Sequence, residues 1–110
     1  MLKMRLEYQE GILFVRLKGK LNKRTSYKIN NYLVPVLKKH KIQYLVYNFY
    51  ELEVIDIVGK EALLNSKCAI LNNKGKILCC NESKIIKDNI KDLKIKKINN
   101  ELDSLKLIGA

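Results

Sequence analysis

Residues 54–64, VIDIVGKEALL, place an acid and a glycine on either side of two branched aliphatic residues. The apolar residues before Asp56 are typical of a strand, and those after Gly59 have the spacing of a helix. The first turn of a helix has backbone N–H groups without partners, so it usually carries small polar side chains and favours negative charge. Ile57 and Val58 have no oxygen or nitrogen in their side chains. The sequence therefore predicts an anion-favouring junction without a side-chain nucleophile at these two positions.

The rest of the sequence offers few groups for catalysis or metal binding. His40 is the only histidine, and the three cysteines, Cys68, Cys79 and Cys80, form no C-x-x-C pair. We therefore expect reduced, buried thiols and no zinc site. There is no G-x-x-x-x-G-K phosphate loop, and one histidine without a neighbouring acid–base pair argues against a triad or a metal hydrolase. We expect no enzyme activity, no metal and no cofactor.

The charge of the chain raises the question of nucleic acid. It has 22 Lys+Arg against 11 Asp+Glu, a formal net charge of +11. Only Arg5, Arg16 and Arg24 are arginines, and the lysines are spread along the whole chain. Proteins that read nucleic acids tend to use arginine and stacking aromatic residues. The charge therefore predicts salt-sensitive association with acidic partners and no specific nucleic-acid site.

The hydrophobic pattern predicts five strands. Residues 11–21 are apolar on both faces, which is typical of a strand inside a sheet, and residues 4–10 should pair with them as a hairpin. Residues 42–54 predict a central strand, and residues 76–80 another strand. Residues 93–98 alternate weakly and carry three lysines, as expected of an edge strand. The predicted central-strand core is Leu13, Val15, Leu45, Val46, Ile77 and Leu78.

Four helices are expected between and after these strands. The first begins at Thr25 or Ser26, either of which can cap it, and Pro35 inside its pattern predicts a kink. Its predicted buried stripe is Ile29, Leu33, Val36 and Leu37. The other helices are predicted over residues 58–72, 82–90 and 101–110. The order β β α β α β α β α predicts one α/β domain, residues 1–110, with a mixed sheet, an N-terminal hairpin and right-handed parallel crossovers.

Three stretches of the chain carry a resemblance to a known family. Residues 12–25, ILFVRLKGKLNKRT, look like its opening strand and the Gly-x-Leu-Asp turn after it. Residues 44–59, YLVYNFYELEVIDIVG, look like its central strand, which ends in Asp-Ser-Ser-Gly. The spacing from KGKILCCN to the C-terminal LKLIGA also agrees with the spacing in that family. Together they resemble the STAS domain family, and within it the sporulation-type anti-sigma factor antagonists. The resemblance covers nearly the whole chain and implies a STAS-type fold.

The resemblance also implies a switch that this sequence has lost. In the family, the second serine of the motif is phosphorylated by a partner that is both a kinase and an anti-sigma factor. The unphosphorylated antagonist captures this partner and frees the sigma factor. Carried over by position, Asp56 and Gly59 are kept, while Ile57 and Val58 replace the serines. The phosphoacceptor position is occupied by Val58, which cannot accept phosphate, and Asn22 stands where the family usually has aspartate.

The implied partner is an ATP-binding anti-sigma factor with serine kinase activity. Its implied binding surface comprises Asn22, Lys23, Arg24 and Thr25 in one loop, and Asp56, Ile57, Val58, Gly59, Lys60 and Glu61 at the turn and helix start. The residues leave alternatives open. Asp56 contacts the partner or caps the helix. Ile57 and Val58 form an apolar docking patch or fill the core. Thr25 caps a helix or receives phosphate.

The expected function is that of an anti-sigma factor antagonist-like interaction domain, not switched by phosphorylation at the usual position. Two alternatives are a basic nucleic-acid-associated domain, with Lys94, Lys96 and Lys97 on an outer strand, and a structural STAS module of a larger assembly. The N-terminus is polar, and no apolar run approaches the roughly 18 residues of a membrane span. We expect a cytoplasmic protein without membrane contact, as a monomer or weak homodimer.

Overall fold

The computed structural model describes the backbone of residues 1–108 and the side chains of residues 1–106. A five-stranded sheet crosses the domain in the order β1-β2-β3-β4-β5. Its strands are β1 Leu2–Gln9, β2 Ile12–Leu21, β3 Tyr44–Ile55, β4 Lys76–Cys80 and β5 Lys96–Lys97. β1 is antiparallel to β2, and every later neighbouring pair is parallel. The predicted mixed α/β sheet with an N-terminal hairpin is confirmed.

The hairpin turn consists of Glu10 and Gly11, with φ angles of 53° and 81°. Two positive φ angles define the turn that matches the twist of an antiparallel pair, and glycine adopts such an angle without strain. The register pairs Gln9 with Ile12 and runs back to Leu2 opposite Gly19. A further backbone hydrogen bond, from Lys20 N to Met1 O at 3.0 Å, closes the open end of the hairpin.

Helices fill the connections between the strands. A wide π-helical segment, Lys28–Leu33, runs directly into α1, Val34–Lys39. The other helices are α2 Ile57–Asn72, α3 Lys84–Ile90, which a short 3-10 turn Lys91–Leu93 follows, and α4 Asp103–Ile108. The four predicted helices are therefore present, and no described helix is long and apolar enough to cross a membrane.

The irregularity predicted at Pro35 is the π-helical segment, which lies just before Pro35 in the chain. Pro35 lies where the π-helical segment passes into α1, and its missing N–H leaves out one hydrogen bond of the continuous helical run. The preceding π-helical segment holds more residues per turn than an α-helix and so shifts the phase of the side chains. The buried side chains are Ile29, Leu33, Val34 and Leu37. The predicted stripe is therefore wrong at Val36, which is only half-buried, because the wider turn brings Val34 into the core instead.

The sheet has an apolar cluster on each face. On one face, strand residues pack against buried side chains of the π-helical segment, α1, α2 and α3. The smaller cluster on the other face contains Ile12, Phe14, Val46, Leu78, Cys80 and Ile98. All six predicted core residues are buried. Since Cys79 belongs to the larger cluster and Cys80 to the smaller one, the two thiols point to opposite faces.

The cysteines are free thiols of two kinds. Burial raises the pKa of the Cys79 thiol to about 12 and that of the Cys80 thiol to about 11, so both remain protonated at neutral pH and act as packing groups. The expectation of buried thiols is wrong for Cys68, which is exposed. Cys68 lies on the outer side of α2, in a groove that it shares with Asn30 and Asn65.

An ion pair holds the C-terminal segment against the sheet face that carries the smaller apolar cluster. Arg16 donates from Nε to Glu101 Oε2 at 2.9 Å and from Nη2 to Glu101 Oε1 at 2.7 Å. Asn48 Nδ2 donates to Glu101 Oε2 at 2.8 Å. Arg16 also donates from Nη1 to Glu7 Oε1 at 2.7 Å. The guanidinium of Arg16 lowers the pKa of the Glu101 carboxyl, so this carboxylate is held in its charged form.

The predicted strand over residues 93–98 is shorter than expected. Lys94 has a φ angle of 55°, in the left-handed region, and only Lys96–Lys97 pairs with β4. Ile95 and Ile98 on either side are buried, so packing adds to the short pairing in holding this segment. Its position at the sheet edge is as predicted. The predicted helix over residues 101–110 is α4, and residues 109 and 110 lie outside the described part of the chain.

Candidate functional site

The loop after β2 meets the turn after β3. β2 and β3 are parallel neighbours, and their register ends with Leu21 opposite Ile55, so the residues that follow both strands emerge at one edge of the sheet. Asp56 N donates to Leu21 O at 3.2 Å. The structure therefore brings residues 22–25 and residues 56–61 together, as the strand order predicts.

The Asp56 carboxylate joins the two segments. Oδ1 accepts a hydrogen bond from Gly59 N at 2.8 Å, and Oδ2 accepts one from Lys23 N at 2.9 Å. Asp56 has extended backbone angles and precedes α2, so it is the N-cap residue of that helix. The cap interpretation of Asp56 is confirmed. The same side chain also fixes the loop after β2 against the start of α2.

Asn22 and Thr25 close a turn in the other segment. Its Oδ1 accepts from Arg24 N at 2.9 Å, and Thr25 Oγ1 accepts from Asn22 N at 2.9 Å. These reciprocal bonds resemble a capping box. The prediction that Thr25 or Ser26 is the cap is wrong, because the residue that precedes the helical segment is Tyr27 and no side chain caps it. The Thr25 hydroxyl also donates to Lys20 O at 2.7 Å and is buried, so it is not displayed for modification.

The two aliphatic residues between Asp56 and Gly59 differ in exposure. The side chain of Ile57 is 72% exposed, and Val58 is half-buried. The core-filler interpretation is therefore wrong for Ile57. Gly59 is buried, and a Cβ atom there would lie 2.5 Å from Leu21 O. Only glycine lets the first turn of α2 approach the end of β2 so closely, and this packing turns Ile57 outward.

An apolar groove extends from Ile57 along α2. Leu64, two turns further on, is partly exposed on the same side, and the groove has a volume of about 320 Å³. Lys60 Nζ lies 2.6 Å from Asp92 Oδ2 beside it, and this hydrogen bond lowers the pKa of the Asp92 carboxyl. The groove is lined by Ile57, Lys60, Glu61, Leu64, Asp92 and Leu93.

Sequence reasoning did not include Leu64, Asp92 and Leu93 in this surface. Leu64 could have been found, because it lies seven residues after Ile57, which is the spacing of one helix face. Asp92 and Leu93 come from the 3-10 turn after α3, and only the packing of that turn against α2 brings them here.

The site displays groups that could contact a protein surface. The backbone N–H groups of Lys23, Arg24 and Gly59 are paired with the side chains of Asp56 and Asn22, and no side chain at positions 57 and 58 has a nucleophilic atom. Among the described residues, no three His, Cys, Asp or Glu side chains are grouped so that they could hold a metal ion. What remains displayed is an apolar side chain, Ile57, with charged residues around it.

The fold has close counterparts among solved structures. SpoIIAA, an anti-sigma factor antagonist solved in its unphosphorylated form, superposes with a TM-score of 0.82 at 15% identity, over 98% of this chain and 99% of that one. The phosphorylated form of Bacillus SpoIIAA gives 0.78 at 15% identity, over 96% and 99%. An anti-sigma factor antagonist from Mycobacterium paratuberculosis gives 0.83 at 14% identity, over 100% and 96%. At these identities the likeness establishes the fold.

Sequence comparison then establishes the family. The STAS domain profile matches residues 3–106, which includes all five strands and both segments of the site. Because this match spans nearly the whole chain, and because the fold agrees with it, the chain belongs to the STAS domain family.

Proposed function

We propose that this protein is an anti-sigma factor antagonist that docks an ATP-binding anti-sigma factor with serine kinase activity, and so regulates sigma-dependent transcription. The observation that carries the proposal is the outward-facing side chain of Ile57. It lies where β3 ends and α2 begins, at the position that the resemblance assigns to the family's Asp-Ser-Ser-Gly motif. The family membership and the likeness to SpoIIAA support it.

The docking surface has the composition of a protein interface. Ile57 supplies an exposed apolar anchor, and Leu64 extends it along α2. The charged residues Lys60, Glu61 and Asp92 line the same groove, as in interfaces that have an apolar centre and a polar rim. The Asp56 carboxylate holds both segments in place before binding, which reduces the entropy that association would otherwise cost.

Phosphorylation at this turn does not end the docking, because the turn offers no acceptor. A phosphoserine adds about −1.5 to −2 charges, and beside Asp56 such a group would repel an acidic contact. Ile57 and Val58 have no oxygen to receive the phosphoryl group, and the Thr25 hydroxyl is engaged with Lys20 O. The complex therefore persists in the presence of ATP.

The test is binding to the anti-sigma kinases of the same genome, measured by biolayer interferometry with and without ATP. The Ile57→Asp variant should lose at least about tenfold in affinity, because it places a charge at the apolar anchor. Ile85→Asp is the matched control, since Ile85 is 61% exposed on α3, away from this surface. Unchanged affinity of Ile57→Asp, or no binding of the wild type in any nucleotide state, would refute the proposal.

A further inference from the structure

The sheet has one long edge that no neighbouring strand covers. β1 spans eight residues, contains no proline or glycine, and pairs without interruption with β2 on its inner side only. The opposite edge is the two-residue strand β5, with lysines at both positions. Exposed backbone groups on a long edge strand form a template for another strand, so β1 is the edge that a partner strand could extend.

The alternation of hydrogen bonds along β1 shows which of its residues direct their backbone N–H and C=O groups away from β2. In an antiparallel pair, opposite residues alternate between those that bond each other and those whose backbone groups point away. The bond from Lys20 N to Met1 O fixes the odd-numbered residues as those bonded to β2. The backbone groups of Leu2, Met4, Leu6 and Tyr8 therefore point outward. Lys28 Nζ donates to Leu2 O, and no hydrogen bond within the described chain reaches the other three.

The side chains of this edge are self-complementary. The order Met4, Arg5, Leu6, Glu7, Tyr8 reads apolar, positive, apolar, negative, apolar in sequence. Leu6 is 44% exposed and Tyr8 is 62% exposed, and with Met4 they lie on the face of the larger cluster. Arg5 and Glu7 lie on the opposite face. Glu7 uses Oε1 for Arg16, which leaves Oε2 for a second cation.

We propose that β1 pairs antiparallel with β1 of a second copy of this chain, with Leu6 on the two-fold axis. Leu6 then exchanges both backbone hydrogen bonds with Leu6 of the second copy, and Met4 does so with Tyr8 of the second copy. Arg5 lies opposite Glu7 of the second copy in a non-hydrogen-bonded pair, where the side chains are closest. The sheet becomes continuous through both copies.

No other register satisfies both the backbone and the charges. The outward-facing residues must pair with each other, so the axis passes through one residue. An axis at Arg5 or at Glu7 places two like charges opposite each other, which is destabilising. An axis at Met4 sets Lys3 against Arg5 of the second copy, and an axis at Tyr8 sets Leu6 against Glu10 of the second copy.

The dimer is weak and depends on salt. One strand pair is a small interface, and two copies with a net charge of +11 each repel at long range. Moderate salt screens this repulsion more than it weakens the contacts at the strand pair. The proposal does not rest on the proposed function, because the turn after β3 is separated from β1 by β2.

The first test is sedimentation equilibrium at physiological salt, up to millimolar protein concentration. The wild type should self-associate, and Arg5→Glu should weaken the dimer by about tenfold or more, because both ion pairs become like-charge pairs. The double variant Arg5→Glu/Glu7→Arg should restore association. Lys3→Glu is the control, since Lys3 faces the neutral Gln9 of the second copy. Circular dichroism verifies folding. A strictly monomeric wild type, or a dimer unaffected by Arg5→Glu, would overturn the proposal.

The second test fixes the register. In a Cys68→Ser background, which removes the exposed thiol, Leu6→Cys places two thiols across the axis at a Cα separation of about 5.5 Å, within disulfide range. Mild oxidation should give a covalent dimer that reductant reverses. Tyr8→Cys is the matched control, because its copies lie four residues out of register and should not crosslink. Equal crosslinking of both variants, or of neither, contradicts Leu6 on the axis.

Discussion

At the scale of single residues, the most important feature is that the side chain at position 58 contains no oxygen atom. Val58 is half-buried at the first turn of α2, and under the proposed function it occupies the position of the phosphorylated serine. We predict that Val58→Ser restores an acceptor and that the wild type takes no phosphate at this turn. The measurement is incubation with the candidate kinase and labelled ATP, followed by mapping of the phosphate by mass spectrometry.

The control for this prediction is Val58→Ala, which removes the same bulk without adding a hydroxyl. It should remain unmodified, like the wild type. Phosphate found on wild-type Thr25, Ser26 or Ser66 at full occupancy, together with release of the partner, would contradict a switchless antagonist. Ser66 is an unfavourable acceptor, because it is buried and donates to Leu63 O at 2.6 Å.

Asp56 offers a second prediction at this scale. Its carboxylate accepts from two backbone N–H groups that lie far apart in the sequence. Asp56→Ala should lower the free energy of unfolding by about 1–2 kcal/mol, the range for loss of a helix cap, as measured by urea denaturation. Asp56→Asn should cost less, since one amide oxygen can still accept. An effect no larger than that of Glu53→Ala, an exposed side chain near the end of β3, would show that the carboxylate is not structural.

At the scale of elements, β3 is the centre of the sheet. Leu45 is fully buried in it. Leu45→Ala should reduce the free energy of unfolding by about 2–5 kcal/mol, because it leaves a cavity that the neighbouring strands cannot fill. Chemical denaturation measures this loss. A change below about 0.5 kcal/mol would be incompatible with a buried central strand, and Glu53→Ala again provides the exposed control.

The contact that ties down the C-terminal segment predicts a pH dependence. Arg16 lowers the pKa of Glu101 in the folded protein, so the folded state favours the charged carboxylate. The stabilisation is therefore complete above the unfolded pKa, near about 4.3, and is lost as the pH falls through the folded pKa. Near pH 7, Glu101→Gln should cost about 1–2 kcal/mol.

The comparison of the wild type and Glu101→Gln by urea denaturation from pH 7 to pH 3 checks this dependence. The difference between them should shrink toward the acid end, because the wild-type carboxyl becomes protonated and then resembles the amide. A difference that stays constant over this range would mean that Glu101 acts through packing and not through its charge. Arg16 keeps its own charge throughout, since hydrogen bonds to Glu101 and Glu7 raise its pKa further.

The elements were predictable where local pattern decides them. The apolar residues on both faces of β2 predict a strand inside a sheet. Adjacent residues of a strand, such as Cys79 and Cys80, point to opposite faces, because the side-chain period of a strand is fixed. The first helix was less predictable, since a π-helical segment shifts the phase and replaces Val36 by Val34 in the core. The exposure of Ile57 was not predictable either, because it depends on the close approach of Gly59 to Leu21, a contact between distant parts of the chain.

At the scale of the whole molecule, the net charge of +11 gives a further prediction. The lysines are dispersed, and some are engaged locally, as in the contacts of Lys60 with Asp92 and of Lys97 with Glu82. We expect only weak binding to duplex or single-stranded nucleic acid, lost as salt increases. Fluorescence anisotropy at physiological salt measures it. A dissociation constant much below about 1 μM would instead favour a nucleic-acid-associated domain.

The aliphatic pair at positions 57 and 58 has a consequence for how a cell would use such a protein. Under the proposed function, a docking turn without a phosphoacceptor would leave the number of copies of the protein as the quantity that sets how much partner is bound. Synthesis and proteolysis would then set the dose, and each molecule would titrate one partner molecule until it is degraded. Halving the expression of the protein would halve the partner held captive, whatever the ratio of ATP to ADP.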